Sequence, residues 1–146
     1  MSATNTLETN ILKLILQNVD FANIGDATGL RGSSTAGSLY ISLHTADPGE
    51  AGDQTTNETS YTNYVRVAVV RSAGGWTVTN DTAVNAAEIA FAQCGVTGAT
   101  LTHFGIGTAS SGTGTLLFKG ALTSQLVVSN GITPKFAASA LTVTAA

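Results

Sequence analysis

The feature that most constrains this chain is a recurrence of short runs of β-branched and aromatic residues, alternating in polarity and closed off by Gly, Pro or Asn. Leu39-Tyr40-Ile41-Ser42-Leu43 is the clearest run. Its period of two places Leu39, Ile41 and Leu43 on one face of a half-buried strand, and Asp47-Pro48-Gly49 ends it. Residues 64–71 form a β-branched run, Gly74-Gly75 reads as a turn, and Trp76-Thr77-Val78-Thr79 alternates again before Asn80-Asp81, a pattern that predicts a hairpin. Further short strands are predicted at 87–91, 100–106, 115–121, 123–128 and 140–144, separated by Ser110-Ser111-Gly112-Thr113-Gly114 and by Asn130-Gly131. Strands this short at this spacing predict an all-β fold, an antiparallel β-sandwich of jelly-roll or immunoglobulin-like type. At 146 residues the chain fits one domain over 1–146, long enough to bury a core without disulfides or metal.

One segment departs from the period of two. Leu7, Ile11, Leu14, Ile15 and Asn18 fall at helical spacing behind Asn5 and Glu8, a variant of the capping box, and predict an amphipathic α-helix over residues 5–18 at the N-terminus. Leu12 and Leu16 widen its apolar stripe beyond what one sheet would cover, so the helix is expected to be covered on two sides, by a core or by a neighbouring subunit, and an exposed face around these two leucines is a candidate contact. Residues 24–37 are rich in Gly, Ser, Thr and Asp and read as an irregular connection. Residues 49–63 hold almost no aliphatic side chains and predict a long polar surface loop. Such loops are often functional, which makes Thr55, Asn57 and Tyr61 candidate contact residues.

Charge narrows the partners. Only 10% of residues are Asp, Glu, Lys or Arg, against roughly 25% in typical soluble proteins, so the exposed surface is largely neutral. The net charge is −3 and the six basic residues are spread singly from Lys13 to Lys135. No cationic patch is present to displace counterions from phosphate, which argues against nucleic acid as a partner. Weak charge also leaves little self-repulsion between copies, which suits a protein whose working state is an assembly. No apolar run approaches the roughly 20 residues of a membrane span, and the N-terminus lacks a basic, cleavable leader, so a soluble cytoplasmic product with no membrane partner is expected.

The chemistry-bearing residues are few. Cys94 is the only cysteine, which excludes an internal disulfide and a multi-Cys zinc site and leaves buried packing as its expected role. His44 lies three residues before Asp47, with His103 on another predicted strand, but these three lack the spacing of a metal motif. Ser42 and His44 point the same way along one strand, yet no Gly-x-Ser-x-Gly turn accompanies either histidine. His44 is therefore expected to bond the turn that follows it, and His103 to be a half-buried strand residue bonded to backbone. Asp20, Asp26, Asp47, Glu50, Asp53, Glu58 and Asp81 read as solvated loop or cap carboxylates rather than a glycosidase pair. Gly105-Ile106-Gly107 precedes no helix that would hold phosphate, so it reads as a bulge or a site of close packing. Trp76, the lone tryptophan, is expected in core or interface packing rather than as a sugar-stacking platform. No catalytic residue, cofactor or metal is expected.

The string Leu39-Tyr40-Ile41-Ser42-Leu43-His44-Thr45-Ala46-Asp47-Pro48-Gly49 resembles a family of small tailed-phage proteins often labelled tail-fibre-like. The similarity continues through Tyr64-Val65-Arg66, Trp76, Thr102-His103-Phe104-Gly105-Ile106, residues 116–122 and Ala140-Leu141-Thr142-Val143. The resemblance implies a β-sandwich virion component without catalytic residues. Because the chain is compact and lacks heptads and fibrous repeats, the leading expectation is a capsid decoration, or cement, protein. It would sit on the capsid surface, bound to the major capsid protein as a homo-oligomer such as a trimer. The alternative is a tail-fibre or baseplate attachment module bound to tail or baseplate proteins. A carbohydrate-binding module contacting the host surface is a further one.

Overall fold

The computed structural model describes residues 2–25 and 29–145. Asp26, read above as a loop carboxylate, lies outside the described residues.

Helix α1 spans Asn5–Gln17. Its N-cap is Thr4, one residue before the Asn5 of the expected capping box. Thr4 is extended, its hydroxyl accepts from the Leu7 amide at 3.4 Å, and the Glu8 amide bonds its carbonyl at 3.0 Å, so Asn5 already belongs to the first turn. Asn18 ends the helix in the left-handed conformation, φ 59°, with its amide on the Lys13 carbonyl. The last turn has no basic residue of its own. Arg71 supplies the missing donors: Nε bonds the Ile15 carbonyl at 2.6 Å, Nη2 that of Leu14 at 2.8 Å and Nη1 that of Ala36 at 3.2 Å. A cation on orphan C-terminal carbonyls satisfies them and complements the helix dipole. Arg71→Met is expected to cost about 1–3 kcal/mol, seen as a lower urea midpoint with faster amide exchange in the last turn of α1.

The strands that follow are β1 Ser38–His44, β2 Val67–Val70, β3 Trp76–Thr79, β4 Thr82–Asn85, β5 Ile89–Ala90, β6 Ala99–Gly107, β7 Leu116–Val128, β8 Lys135–Phe136 and β9 Thr142–Thr144. They form a four-stranded sheet in the order β2-β1-β6-β7, a three-stranded sheet β3-β4-β9 and a two-stranded ladder β5-β8. The β1-β6, β6-β7, β3-β4 and β4-β9 pairings are antiparallel. The expected class, all-β with antiparallel sheets and one N-terminal helix among the described residues, is the one observed. The chain packs as two compact units, each assembled from separated segments.

The first unit comprises Met1–Ser38, Val70–Ile89 and Phe136–Ala146. In it α1 lies on β3 and β4, and Leu12, Leu16, Trp76, Ala83, Leu141 and Val143 are buried. Of the core and interface places expected for it, Trp76 takes the core. Leu12 and Leu16 do not form an exposed face: both are 0% exposed. The wide stripe is consumed inside the unit, and neither leucine offers a contact. The expected hairpin is also re-paired. β3 turns at Asn80-Asp81 into β4, with Thr79 opposite Thr82 and Asn80 at φ 55°, whereas the 64–71 run contributes β2 to the other sheet. A two-residue loop carrying Asn in the left-handed region suits the twist of a hairpin. Ser72–Gly75 instead closes its own turn, the Gly75 and Trp76 amides both bonding the Ser72 carbonyl at 3.0 Å. Asn85, fully buried at the end of β4, gives Nδ2 to the carbonyls of Ala87 (2.7 Å) and Ala137 (2.8 Å) and accepts the Leu141 amide on Oδ1 at 2.8 Å.

The second unit comprises Leu39–Val69 and Ala90–Lys135. Register pairs Ile41 with Ile106 and Leu43 with Phe104 on an apolar face. The alternate positions pair Tyr40 with Gly107, Ser42 with Gly105 and His44 with His103. From Ile41 onward β1 is buried on both faces rather than half-buried. β7 merges the two strands expected at 115–121 and 123–128. Its register jumps from Leu126 opposite Leu101 to Ala121 opposite His103, so residues 122–125 bulge outward opposite Thr102. Cys94 is a buried free thiol, as expected.

Candidate functional site

The second face of β1 is covered by the polar segment that follows it. The Thr45 amide bonds the Asn57 carbonyl and the Thr59 amide that of Leu43, both at 2.9 Å, so the ends of the segment meet as in a compact Ω-loop. Inside it, Asp47 Oδ1 accepts the Gly49 amide at 2.8 Å, and Asp53 Oδ1 accepts the Thr55 amide at 2.7 Å and hydroxyl at 2.6 Å. Asn57 Nδ2 bonds the Asp47 carbonyl at 2.9 Å. The segment is pinned to the sheet by Gln54, whose side chain is fully buried. Its Oε1 accepts the Ala109 amide at 2.9 Å and its Nε2 donates to the Tyr40 carbonyl at 3.4 Å.

Two glycines make room for this cover. A Cβ at position 107 would lie 2.2 Å from Gln54 Cδ, and one at 105 would lie 2.7 Å from Ser42 Oγ and 2.9 Å from His44 Nε2. Gly105-Ile106-Gly107 is therefore close packing, with a register irregularity between Ile106 and Gly107. Gly107→Ala is expected to cost about 1–3 kcal/mol by overpacking, whereas Gly74→Ala, where the nearest atom would be 3.5 Å away, leaves the urea midpoint almost unmoved.

Ser42 Oγ and His44 Nε2 are 2.8 Å apart, and His44 Nδ1 is 2.9 Å from the Thr56 carbonyl. A carbonyl only accepts, so Nδ1 carries the proton and Nε2 accepts from the serine hydroxyl. A Ser–His pair at this distance in an open cleft would be a candidate nucleophile. Here both side chains are fully buried, and the second ring nitrogen is held by backbone rather than by a carboxylate. The pair clamps the loop onto the sheet. His44 thus bonds the far end of the loop, at Thr56, rather than the Asp47-Pro48-Gly49 turn expected for it. His103, its register partner, has Nδ1 2.9 Å from the Thr102 hydroxyl rather than on backbone. Asp47, the third member of the candidate trio, bonds Lys119 instead, at 3.2 Å. No group of three metal-binding side chains is found among the described residues.

Desolvation pushes the pKa of His44 below the free value of 6.5, against smaller opposing effects of Thr56 and Glu58. The unfolded chain then takes up the proton first, so this contribution to stability is complete above about pH 6.5 and is lost as pH falls below it. Melting midpoints measured from pH 7.5 to 5 are expected to fall, and His44→Gln is expected to flatten that slope.

Beside the clamp lies a second buried group. Arg66 Nε and Nη2 grip the two carboxylate oxygens of Glu58, each at 2.7 Å, with side-chain exposures of 3% and 15%. Tyr64 donates its hydroxyl to Glu58 Oε1 at 2.8 Å and accepts the Leu43 amide at 3.1 Å. Arg66 also bonds the carbonyls of Ala109 (2.9 Å) and Gly112 (2.7 Å), tying the 108–114 turn to the loop. Burial drives the Tyr64 pKa upward, and the Glu58 carboxylate raises that of Arg66. Tyr61 is 2% exposed and donates to the Ala92 carbonyl at 2.9 Å, its pKa pushed up by desolvation to about 12. It is packing, not a contact residue, because its ring is needed against Tyr64, 5.3 Å away. Thr55 and Asn57 are exposed on the one loop, as expected. Glu58, Arg66 and Gln54 were missed: Glu58 reads as one more loop carboxylate, and nothing in a polar run marks Gln54 as an inward anchor.

The later stretch of the unit is nearly free of charge. From Ala90 to Pro134 the only Asp, Glu, Lys or Arg is Lys119, and that side chain is engaged by Asp47 at 3.2 Å and Glu50 at 2.9 Å. The same stretch exposes Val96 (88%), Val127 (62%), Leu117, Leu126 and Ile132. A family model described as podophage GP4 fiber I protein gp80 matches residues 2–144. The chain belongs to that family. The match runs from before α1 to the end of β9, so every helix and strand of both units of this gp80-family chain lies within it. The family description is of a fibre, which agrees with the alternative drawn from the sequence rather than with a capsid decoration. A comparison with curated proteins finds no match.

Proposed function

We propose that this chain is a non-enzymatic structural subunit of a phage fibre, carried on the virion and held there by copies of itself and by tail or baseplate proteins. The observation that carries this reading is the gp80 fibre-family match over residues 2–144. The sparsely charged outer surface supports it, since a face with few charges opposes little to close packing of subunits. The sealed Ser42–His44 pair supports a structural role for the one constellation that looks chemical.

Quantitative mass spectrometry of purified particles, and of tails separated from heads, tests it. The expected result is a handful of copies per particle, retained by the tail fraction. Hundreds of copies retained by the heads would overturn the reading and make the chain a decoration protein on the major capsid lattice.

A further inference from the structure

The polar segment over β1 is held to its sheet by very little apolar surface. Between Thr45 and Glu58 only Pro48 and Gln54 are buried. What fastens the segment is polar. The Gln54 amide bonds the Thr113 carbonyl at 3.1 Å, its side chain bonds Ala109 and Tyr40, Lys119 bonds Asp47 and Glu50, and His44 bonds the Thr56 carbonyl. Beneath it, β1 and β6 are joined by a ladder and by buried Ile41, Leu43, Phe104 and Ile106. An element with few buried apolar contacts opens at a lower free energy than the body that carries it.

Among the side chains in these bonds, histidine is the kind that changes charge between about pH 5 and 8. The site suits a neutral ring: Nε2 accepts from the Ser42 hydroxyl and Nδ1 donates to the Thr56 carbonyl, and neither partner is charged. Three charged or titratable groups act on the ring from other elements. Glu58 favours a positive charge, but Arg66 already grips both its oxygens and Tyr64 donates to one of them. Arg66 itself and His103, the register partner on β6, oppose one. On β7, Lys119 lies across Gly105 and is bound to Asp47 and Glu50. A second ring proton turns Nε2 from acceptor into donor. Ser42 can turn to accept it, but the charge then sits in a fully buried site whose facing carboxylate is already matched by Arg66. Lifting the segment gives that charge to water.

We infer that residues 45–58 form an acid-released flap: protonation of His44 frees the segment from the sheet as a unit, the β1-β6 ladder stays paired, and the face around Ser42, Gly105 and Gly107 is bared. The carboxylates of the flap do not drive this. The Gly49 amide, and then Lys119, hold Asp47 below the usual carboxylate range, and the Thr55 hydroxyl does the same for Asp53, so their bonds persist where histidine titrates. Desolvation holds His44 below its free value of 6.5 while the flap is closed, so the open form takes the proton first and opening grows as pH falls through about 6.5. This device does not depend on where the particle carries the chain.

Amide hydrogen exchange on the purified full chain, with each rate divided by that of unstructured peptide at the same pH, tests it. The Gln54 and Ala109 amides bridge flap and body, whereas the Leu141 amide and those of the β1-β6 ladder report the rest. Gln54 and Ala109 are expected to exchange well ahead of the others at every pH, and their protection to fall by up to about tenfold per pH unit below about pH 6.5. His44→Gln is expected to abolish the fall and His103→Gln to keep it. If His44→Gln does not fold, NMR titration of the wild-type ring decides, since His44 is expected to titrate in step with the loss of protection. Gln54 and Ala109 amides that exchange no faster than the ladder, protection that stays flat down to about pH 5, a ring that titrates without any loss of protection, or a fall that survives His44→Gln or needs His103, each overturns the inference.

Discussion

Arg66→Met is expected to lower stability by about 3–5 kcal/mol, because it leaves the Glu58 carboxylate inside the second unit without its counter-ion. Two bidentate bonds at 2.7 Å disappear, and the carbonyls of Ala109 and Gly112 lose their donor at the same time. Tyr64 alone then remains on Glu58. Set against the roughly 5–15 kcal/mol that holds a typical domain together, this is a large fraction. The double variant Glu58→Gln/Arg66→Met is expected to recover part of the loss, since it removes the stranded charge as well. Urea denaturation of the wild type, both singles and the double closes a cycle for the pair. A single-variant cost of only about 0–1 kcal/mol would instead place the pair with exposed ion pairs.

Asn85→Leu is expected to destabilise the first unit by about 1–3 kcal/mol, although the two side chains are similar in volume. The replacement leaves the buried Leu141 amide without its acceptor and takes a donor from the carbonyls of Ala87 and Ala137, of which Ala137 keeps the Ala140 amide at 3.1 Å. Hydrogen exchange gives the local signature: the Leu141 amide, bound to Asn85 Oδ1 at 2.8 Å, is expected to lose its protection first. A variant with wild-type stability and unchanged protection at Leu141 would mean that these bonds are replaced by water.

Local pattern made part of this structure legible. Period-two alternation placed β1 and β3, helical spacing placed α1 to within a residue at each end, and the glycines at 105 and 107 read correctly as close packing. Pairing was less legible, because it is decided by competition between turns. Gly74-Gly75 looks as strong a turn as Asn80-Asp81, and only the packed chain shows the second one joining two paired strands. The 122–125 bulge hid for a related reason: Leu122-Thr123 interrupts the alternation much as a turn would, and the continuity of β7 is set by β6 beside it.

The side chains that build the loop cover were least visible. Gln54, Glu58 and Thr59 sit in a run that reads as solvated, and their burial follows from Gly107 leaving a space above β6 and from Arg66 lying eight residues beyond Glu58 on the returning chain. Leu12, Leu16 and Tyr61 failed as contact residues in the opposite sense. An apolar stripe or an aromatic ring in sequence does not say whether its own fold or a neighbour covers it.

An electron-microscopy map of the intact particle at side-chain detail is the most direct measurement of where this chain works. The expected result is density for the two units within a tail-associated fibre, in low copy number. Density on the capsid lattice, with the tail fibres built of other chains, would contradict it.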